Sequence, residues 1–448
     1  MIGYNIIFSK IHFMKTDKTA KIGVVGLWHL GSVLCASWAK LGFNVIGFDY
    51  DKERVNDMNN SLPPVFEPNL SETIKQFLKK NTLQFTNNLK DLNECDFIIL
   101  SYDTPVLNDD SCDLSILENS VHDLKNIMKD GSILIVSSQS PAGFCSTLRN
   151  VLKNQNDSLE LAYSPENLRL GEAIHCYLNP GRIILGTNNM NTEEKCKSLF
   201  TNITDNIASM NLESSEMVKH GINSFLATSV VFANNLSDIC EQVGANIEDV
   251  ILGIKSDDRI GQKAYLSPGI GFSGGTLGRD LKVLDSFNVD SKGPAELFGF
   301  IHKTNINRKK VIKSKIMQIL DDCNGKVVGV LGLTYKPGTS TLRRSLPLDI
   351  VNLLLNEGVI IKAYDPKADY TELKEKPKFI IEKSIDELSK DVDCLVVLTD
   401  WPEFKNFDWN SVKVSLKNKI IFDTKNFLNG TSLEKNGFKY FSLGKKND

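Results

Sequence analysis

From Lys21 onward, short apolar runs alternate with stretches of helical period. The runs Ile22 to Val25, Asn44 to Phe48, Phe97 to Leu100, Ser132 to Val136, Glu160 to Tyr163 and Arg182 to Leu185 read as strands. Strands separated by helices imply βαβ units and a mostly parallel sheet covered on both faces, a doubly wound domain ending near Asn211. The texture then changes. Between Ser214 and Gly244, apolar residues at Val218, Ile222, Phe225, Phe232, Leu236, Ile239 and Val243 recur in steps of three and four, interrupted only by Ser229. One long helix is predicted there, closed by Gly244 at its C′ position and carrying a two-sided stripe of the kind that usually packs against another helix. Another helical stretch, Pro294 to Leu320, leads to a second α/β region. It has strands Val327 to Leu331, Val359 to Tyr364, Cys394 to Leu398 and Ile420 to Phe422, and a helix Pro347 to Asn356.

The expected fold is therefore α/β, with two Rossmann-like doubly wound domains joined by a long central helix and a helical segment. The two halves suggest an old duplication. At 448 residues, 41% of them apolar, the chain can fill several cores, and length alone suggests roughly two to four domains. The expected boundaries are an N-terminal extension 1–20, a first domain 21–211, a central helical domain 212–322 and a last domain 323–448. The apolar opening is interrupted by Lys10 and His12, too soon to span a bilayer, and Met14 is as natural a start as Met1. A net charge of −3 creates no basic field, which argues against nucleic acid and membrane surfaces as partners. Nine scattered cysteines form no C-x-x-C pair and no zinc-ligand spacing, so no metal is expected, and reduced thiols in a cytoplasm are.

Candidate chemistry begins where the first strand runs into GLWHLG, Gly26 to Gly31, and then a helix. A pyrophosphate needs this order, because the first helical N–H groups and the positive helix end point at the anion. Gly26 permits the tight turn and Gly31 the close packing of helix and strand, while Trp28 stands where a middle glycine is usual. Asp49 follows Gly26 at the spacing of an acid that binds a ribose 2′-hydroxyl; it would repel a 2′-phosphate, so NAD is favoured over NADP.

Further along lie SPENLRLG (Ser164 to Gly171), KHGIN (Lys219 to Asn223), PGIGFSGGTLGRDL (Pro268 to Leu281) and VVGVLGLTYKPGTSTLRRS (Val327 to Ser345). In this order, and over nearly the whole chain, they resemble the UDP-glucose/GDP-mannose dehydrogenase family. The resemblance implies an NAD-dependent oxidoreductase acting at C6 of a UDP-sugar, a C-terminal UDP-binding domain, and a homodimer through the middle helix. It implies that Leu30, Arg54 (in the family's DxDxxRV) and Thr104 with Pro105 line the cofactor groove, joined by Arg343. Within PGIGFSGG, Gly269, Gly271, Gly274 and Gly275 make a flexible backbone whose N–H groups can wrap phosphates or sugar hydroxyls, and Phe272 and Tyr265 offer flat surfaces for sugar or base. The resemblance implies further substrate contacts at Leu168 and Lys336, and at Arg259, which in the family reaches the neighbouring subunit's substrate.

Oxidising an alcohol needs a base, donors for the developing alkoxide and a hydride acceptor. Lys219 and Asn223, four apart and flanked as in the family's EMxKxxxNxFLA, offer the donors, and Asp280 can take the proton. Glu166 matches the glutamate that orients the family's hydrolytic water. The glycine-rich loop of the family reads roughly GFGGSCxxKD, with a cysteine that carries the second oxidation; here Thr276 occupies that position. A thiol can be tuned to a thiolate and form a thioester, whereas a threonine hydroxyl is far less acidic. The expected function is a UDP-glucose 6-dehydrogenase-like step in polysaccharide precursor synthesis with an altered second oxidation. Two other readings stand beside it: an NAD-retaining nucleotide-sugar epimerase or lyase, and a catalytically silent sugar-nucleotide binder.

Overall fold

The computed structural model describes residues 18–104, 112–165, 168–273, 275–287, 296–321, 324–373 and 375–446. Two compact units divide the chain between Gly221 and Ile222, within the helix Leu212–Val243. The first contains strands β1 Lys21–Val25, β2 Asn44–Phe48, β3 Leu83–Thr86, β4 Phe97–Leu100, β5 Ile133–Val136, β6 Glu160–Tyr163, β7 Ile183–Gly186 and β8 Ile207–Met210. They form one sheet in the order β3-β2-β1-β4-β5-β6-β7-β8. Every neighbouring pair is parallel except β6 and β7, which meet antiparallel at Tyr163 and Gly186.

The buried strands explain why continuous apolar runs mark them. Successive side chains point to opposite faces, and both faces are covered. In β4, Phe97 and Ile99 join the core under the helix His29–Lys40, while Ile98 and Leu100 join the core on the other face. In β5, Ile133 and Ile135 divide from Leu134 and Val136 in the same way.

The second unit contains β9 Val327–Leu331, β10 Ile360–Tyr364, β11 Ile380–Ile381, β12 Cys394–Val397, β13 Ile420–Asp423 and β14 Lys439–Ser442. The sheet is parallel, ordered β11-β10-β9-β12-β13-β14. Counted from its own first strand, that is the order 3-2-1-4-5-6 of the first six strands of the other sheet, and each has a switch point where ligands of such sheets bind, between β1 and β4 and between β9 and β12.

The turns at these two points are built alike. After β1, Gly26 (φ +95°) donates its N–H to the Phe48 carbonyl at 2.9 Å and the Leu27 N–H donates to Asp49 Oδ2 at 2.7 Å. After β9, Gly332 (φ +87°) donates to the Tyr364 carbonyl at 2.8 Å and Leu333 to Asp365 Oδ2 at 2.7 Å.

The long helix runs Leu212–Val243, close to its predicted span, and Gly244 follows at φ +77°. In the first unit its start is bolted down by Glu216. This buried carboxylate accepts the N–H groups of Gly143 (2.6 Å) and Cys145 (2.9 Å) at the start of the helix Phe144–Gln155, and the Ser140 hydroxyl at 3.2 Å. Burial pushes its carboxyl above the ordinary glutamate value, and those same hydrogen bonds oppose the shift. The second helical stretch is described over Leu297–Leu320; Pro294 and Cys323 lie outside the described residues.

Candidate active site

At the first switch point, both glycines are sterically required. A Cβ on Gly31 would lie 1.7 Å from the Gly26 carbonyl oxygen, and one on Gly26 would meet the Tyr102 ring at 2.8 Å. The helix His29–Lys40 starts immediately behind the turn. Its N-cap is Trp28, which makes no side-chain cap bond, and no acidic residue lies in its first turn. A helix start without a side-chain cap suits an anion, so the residues fit a dinucleotide pyrophosphate.

Trp28 does not block that approach by packing inward; it is 41% exposed and lies against Arg54, whose guanidinium carbon is 5.1 Å from the ring centroid. Arg54 also pairs with Asp49 (3.2 Å) and Asp51 (3.4 Å). Asp49 is buried at the end of β2 and accepts from Leu27, Asp51 and Arg54, which fixes the carboxylate against the turn. Leu30 packs against the first core, and Thr104 donates to the Gln139 carbonyl at 3.0 Å. Pro105 lies outside the described residues, as does Glu166.

In the second unit, Asn223 and Asp280 come together. Asp280 is fully buried, and Asn223 Nδ2 donates to its Oδ2. Thr276 is the first residue of the helix Thr276–Ser286, exposed, and one turn before Asp280 on the same face. Arg279 is buried beside them, its Nε 3.9 Å from Asp280 Oδ1. Lys219 lies on the long helix one turn before Asn223, within the first unit, and is half-buried.

From Gly269 to Phe272 the glycine-rich loop ahead of Thr276 is held by side chains. The Gly269 N–H donates to Asn234 (2.7 Å), its carbonyl accepts from Arg308 Nε (3.0 Å), and Phe272 exchanges two hydrogen bonds with the Asn305 amide (2.9 and 3.0 Å). Gly271 takes φ +102°, and a Cβ there would stand 2.5 Å from Asn305 Oδ1. The N–H of Gly269, one of the glycines expected to wrap phosphates, is thus committed to a side chain, as is that of Phe272. The Phe272 ring, expected as a platform for sugar or base, packs against the small core of Ala227, Val231, Leu281 and Ile301.

Other candidates are at the surface. Tyr265 is exposed, Arg259 is exposed and paired with Asp257 at 2.7 Å, and Arg343 is exposed 3.5 Å from Glu372. The Lys336 ammonium lies 5.6 Å from the Tyr335 ring centroid. Among the described residues, no group of three or more His, Cys, Asp or Glu could hold a metal ion, and no helix is long and apolar enough to cross a membrane.

Several residues near these groups escaped the sequence reading. Asn234, Asn305 and Arg308 clamp the loop. Lys425, after β13, has its Cδ 3.9 Å from the place a Gly269 Cβ would take; burial pushes its ammonium below the ordinary lysine value, opposed by Asp400 and Asp423. Glu67 joins the first turn to the end of SPENLRLG. Their partners lie far along the chain, so no local spacing marks them; the asparagines at helix interiors were the available signal.

Sequence patterns of the UDP-glucose/GDP-mannose dehydrogenase family match the chain in three parts: its NAD binding domain over residues 20–204, its central domain over 213–307 and its UDP binding domain over 329–430. The UDP-glucose 6-dehydrogenase of Rickettsia felis is 33% identical over 434 residues, 95% of this chain and 97% of that protein. The solved UDP-D-ManNAc dehydrogenase of Pyrococcus horikoshii is 25% identical with a TM-score of 0.84, covering 96% of this chain and all of that one. The UDP-N-acetyl-mannosamine dehydrogenase of Staphylococcus aureus is 26% identical with a TM-score of 0.77, over 94% and 98% of the two chains. A glycine turn and helix start fit for a pyrophosphate, together with these three matched domains, lead to one assignment: the chain belongs to the UDP-glucose/GDP-mannose dehydrogenase family and is an NAD-dependent oxidoreductase acting on CH–OH.

Proposed function

We propose that this enzyme oxidises the C6 hydroxymethyl group of a UDP-sugar, for polysaccharide precursors, without a covalent thioester. The observation that carries the reading is the buried Asn223–Asp280 pair one helical turn from Thr276. Asp280 accepts the hydroxyl proton, directly or through water. Asn223 gives one amide N–H to Asp280 and keeps a second for the alkoxide, which Lys219 also stabilises. Bound NAD supplies the acceptor for the C6 hydride and its electron pair, so the alcohol becomes an aldehyde. The cofactor is held by Gly26, Trp28, Leu30, Gly31, Asp49, Arg54, Thr104 and Arg343. The sugar nucleotide is held by Leu168, Arg259, Tyr265, Gly271, Phe272 and Lys336. With a hydroxyl at position 276, the aldehyde leaves or is oxidised as its hydrate, for which Glu166 orients water.

The test is mass spectrometry of products from a panel of UDP- and GDP-sugars with NAD, read beside the NADH formed. A consumed UDP-sugar, at least one NADH per sugar and no adduct on the protein are expected. UDP-sugar turnover with no net NADH would replace this reading with a redox-neutral one.

The working form is a homodimer in the cytoplasm. Support comes from Phe225, Phe232, Ile239 and Val243, which follow one another by seven, seven and four residues on one helix face and are 69%, 50%, 53% and 72% exposed. The exposed Arg259 suits a reach into a neighbouring copy. Phe232→Glu should give a monomer by light scattering; an unchanged mass would refute this interface.

A further inference from the structure

We propose that Glu67 is a positioning residue that couples the cofactor turn to the segment closing SPENLRLG. Its carboxylate is buried and serves three donors from two distant parts of the first unit. His29 Nε2 lies 2.7 Å from Oε1. The Gly171 N–H reaches both oxygens, at 2.9 and 3.0 Å, and the Ala173 N–H reaches Oε2 at 3.2 Å.

The two parts have different tasks. His29 is the first residue of the helix whose start faces the pyrophosphate, so its side chain is anchored wherever that helix start is anchored. Gly171, at φ +91°, ends the segment that begins at Leu168, and Leu168 packs against the same core as Leu30. A single buried carboxylate with three donors has one arrangement that satisfies all of them, and losing any donor leaves lone pairs uncompensated. Ordering the helix start around a dinucleotide therefore orders Glu67, and Glu67 orders residues 168–173. This inference rests on the reading of that segment as the sugar side of the site.

The experiment needs no sugar, so failure of the UDP-sugar reading leaves it standing. NAD affinity is measured by calorimetry, and amide hydrogen exchange of a peptide spanning 168–178 is followed with and without NAD. In the native protein NAD should slow exchange at Gly171 and Ala173. His29→Phe removes one donor and leaves both backbone bonds. It should abolish that slowing and weaken NAD by about ten- to a hundredfold, the span of one lost charge-assisted hydrogen bond. His29→Gln, which restores a donor, should recover most of both. Equal slowing in His29→Phe, or NAD affinity unchanged by it, overturns the coupling. If His29→Phe does not fold, His29→Ala is read in the same way, since it too removes the donor and leaves the Gly171 and Ala173 bonds to Glu67 in place.

Discussion

Asp280→Asn should lower kcat by about 10²- to 10⁴-fold, the contribution typical of a positioned proton acceptor. The substitution is isosteric, and the side-chain oxygen it retains can still accept the Asn223 N–H, so the buried pair and the helix Thr276–Ser286 should persist. What disappears is the second carboxylate oxygen and its capacity to take a proton. Stopped-flow measurement of the first NADH burst separates this loss from slow product release, and NAD affinity measured alongside should stay within a few-fold because Asp49, Arg54 and the glycine turn are untouched. A burst rate within about tenfold of the native enzyme, less than a general base is worth, would remove Asp280 from the chemistry.

Thr276→Cys should have the opposite character, a gain. The side chain at position 276 opens a helix, where unpaired N–H groups and the positive end of the dipole favour a thiolate over a thiol. A thiolate there can add to the aldehyde, and loss of a second hydride from that adduct leaves a thioester for water to cleave. The expected outcome is a uronic acid with about two NADH per sugar, and an acyl adduct on the variant seen by intact-protein mass spectrometry. Thr276→Ser, which changes shape without supplying sulfur, should show neither. If the cysteine variant binds NAD and UDP-sugar normally yet forms no additional acid, the missing thiol is not what separates this enzyme from its relatives.

Much of the architecture could be read along the chain because fully buried parallel strands leave unbroken apolar runs, as FIIL in β4, ILIV in β5 and CLVV in β12 do. The strands that escaped are of another kind. LQFT in β3, IASM in β8 and KYFS in β14 lie at sheet edges, where one side needs no covering and the run is mixed, and β11 is only two residues long. The turn after β1 was legible because steric limits on backbone, at Gly26 and Gly31, can be met by few residue types. Glu67 was not, since its donors lie 38 and 104 residues away and a lone glutamate between Phe66 and Pro68 carries no mark of them. The clamping of the glycine-rich loop was hidden for a related reason: Asn305 and Arg308, which fix Phe272 and Gly269, lie more than thirty residues downstream.

The paired turns after β1 and β9 share their glycine, their leucine and their aspartate, yet only the first leads directly into a helix. From Gly332 the chain travels to Ser345 before the helix Leu346–Leu355 begins. The later turn therefore repeats the backbone lock of the first without a helix dipole directly behind it, and a phosphate bound there would have to be answered by side chains, for which Lys336 and Arg343 are the candidates. One half would hold its ligand by backbone charge that dissolved ions barely reach, the other by mobile cations whose pull fades as ionic strength rises.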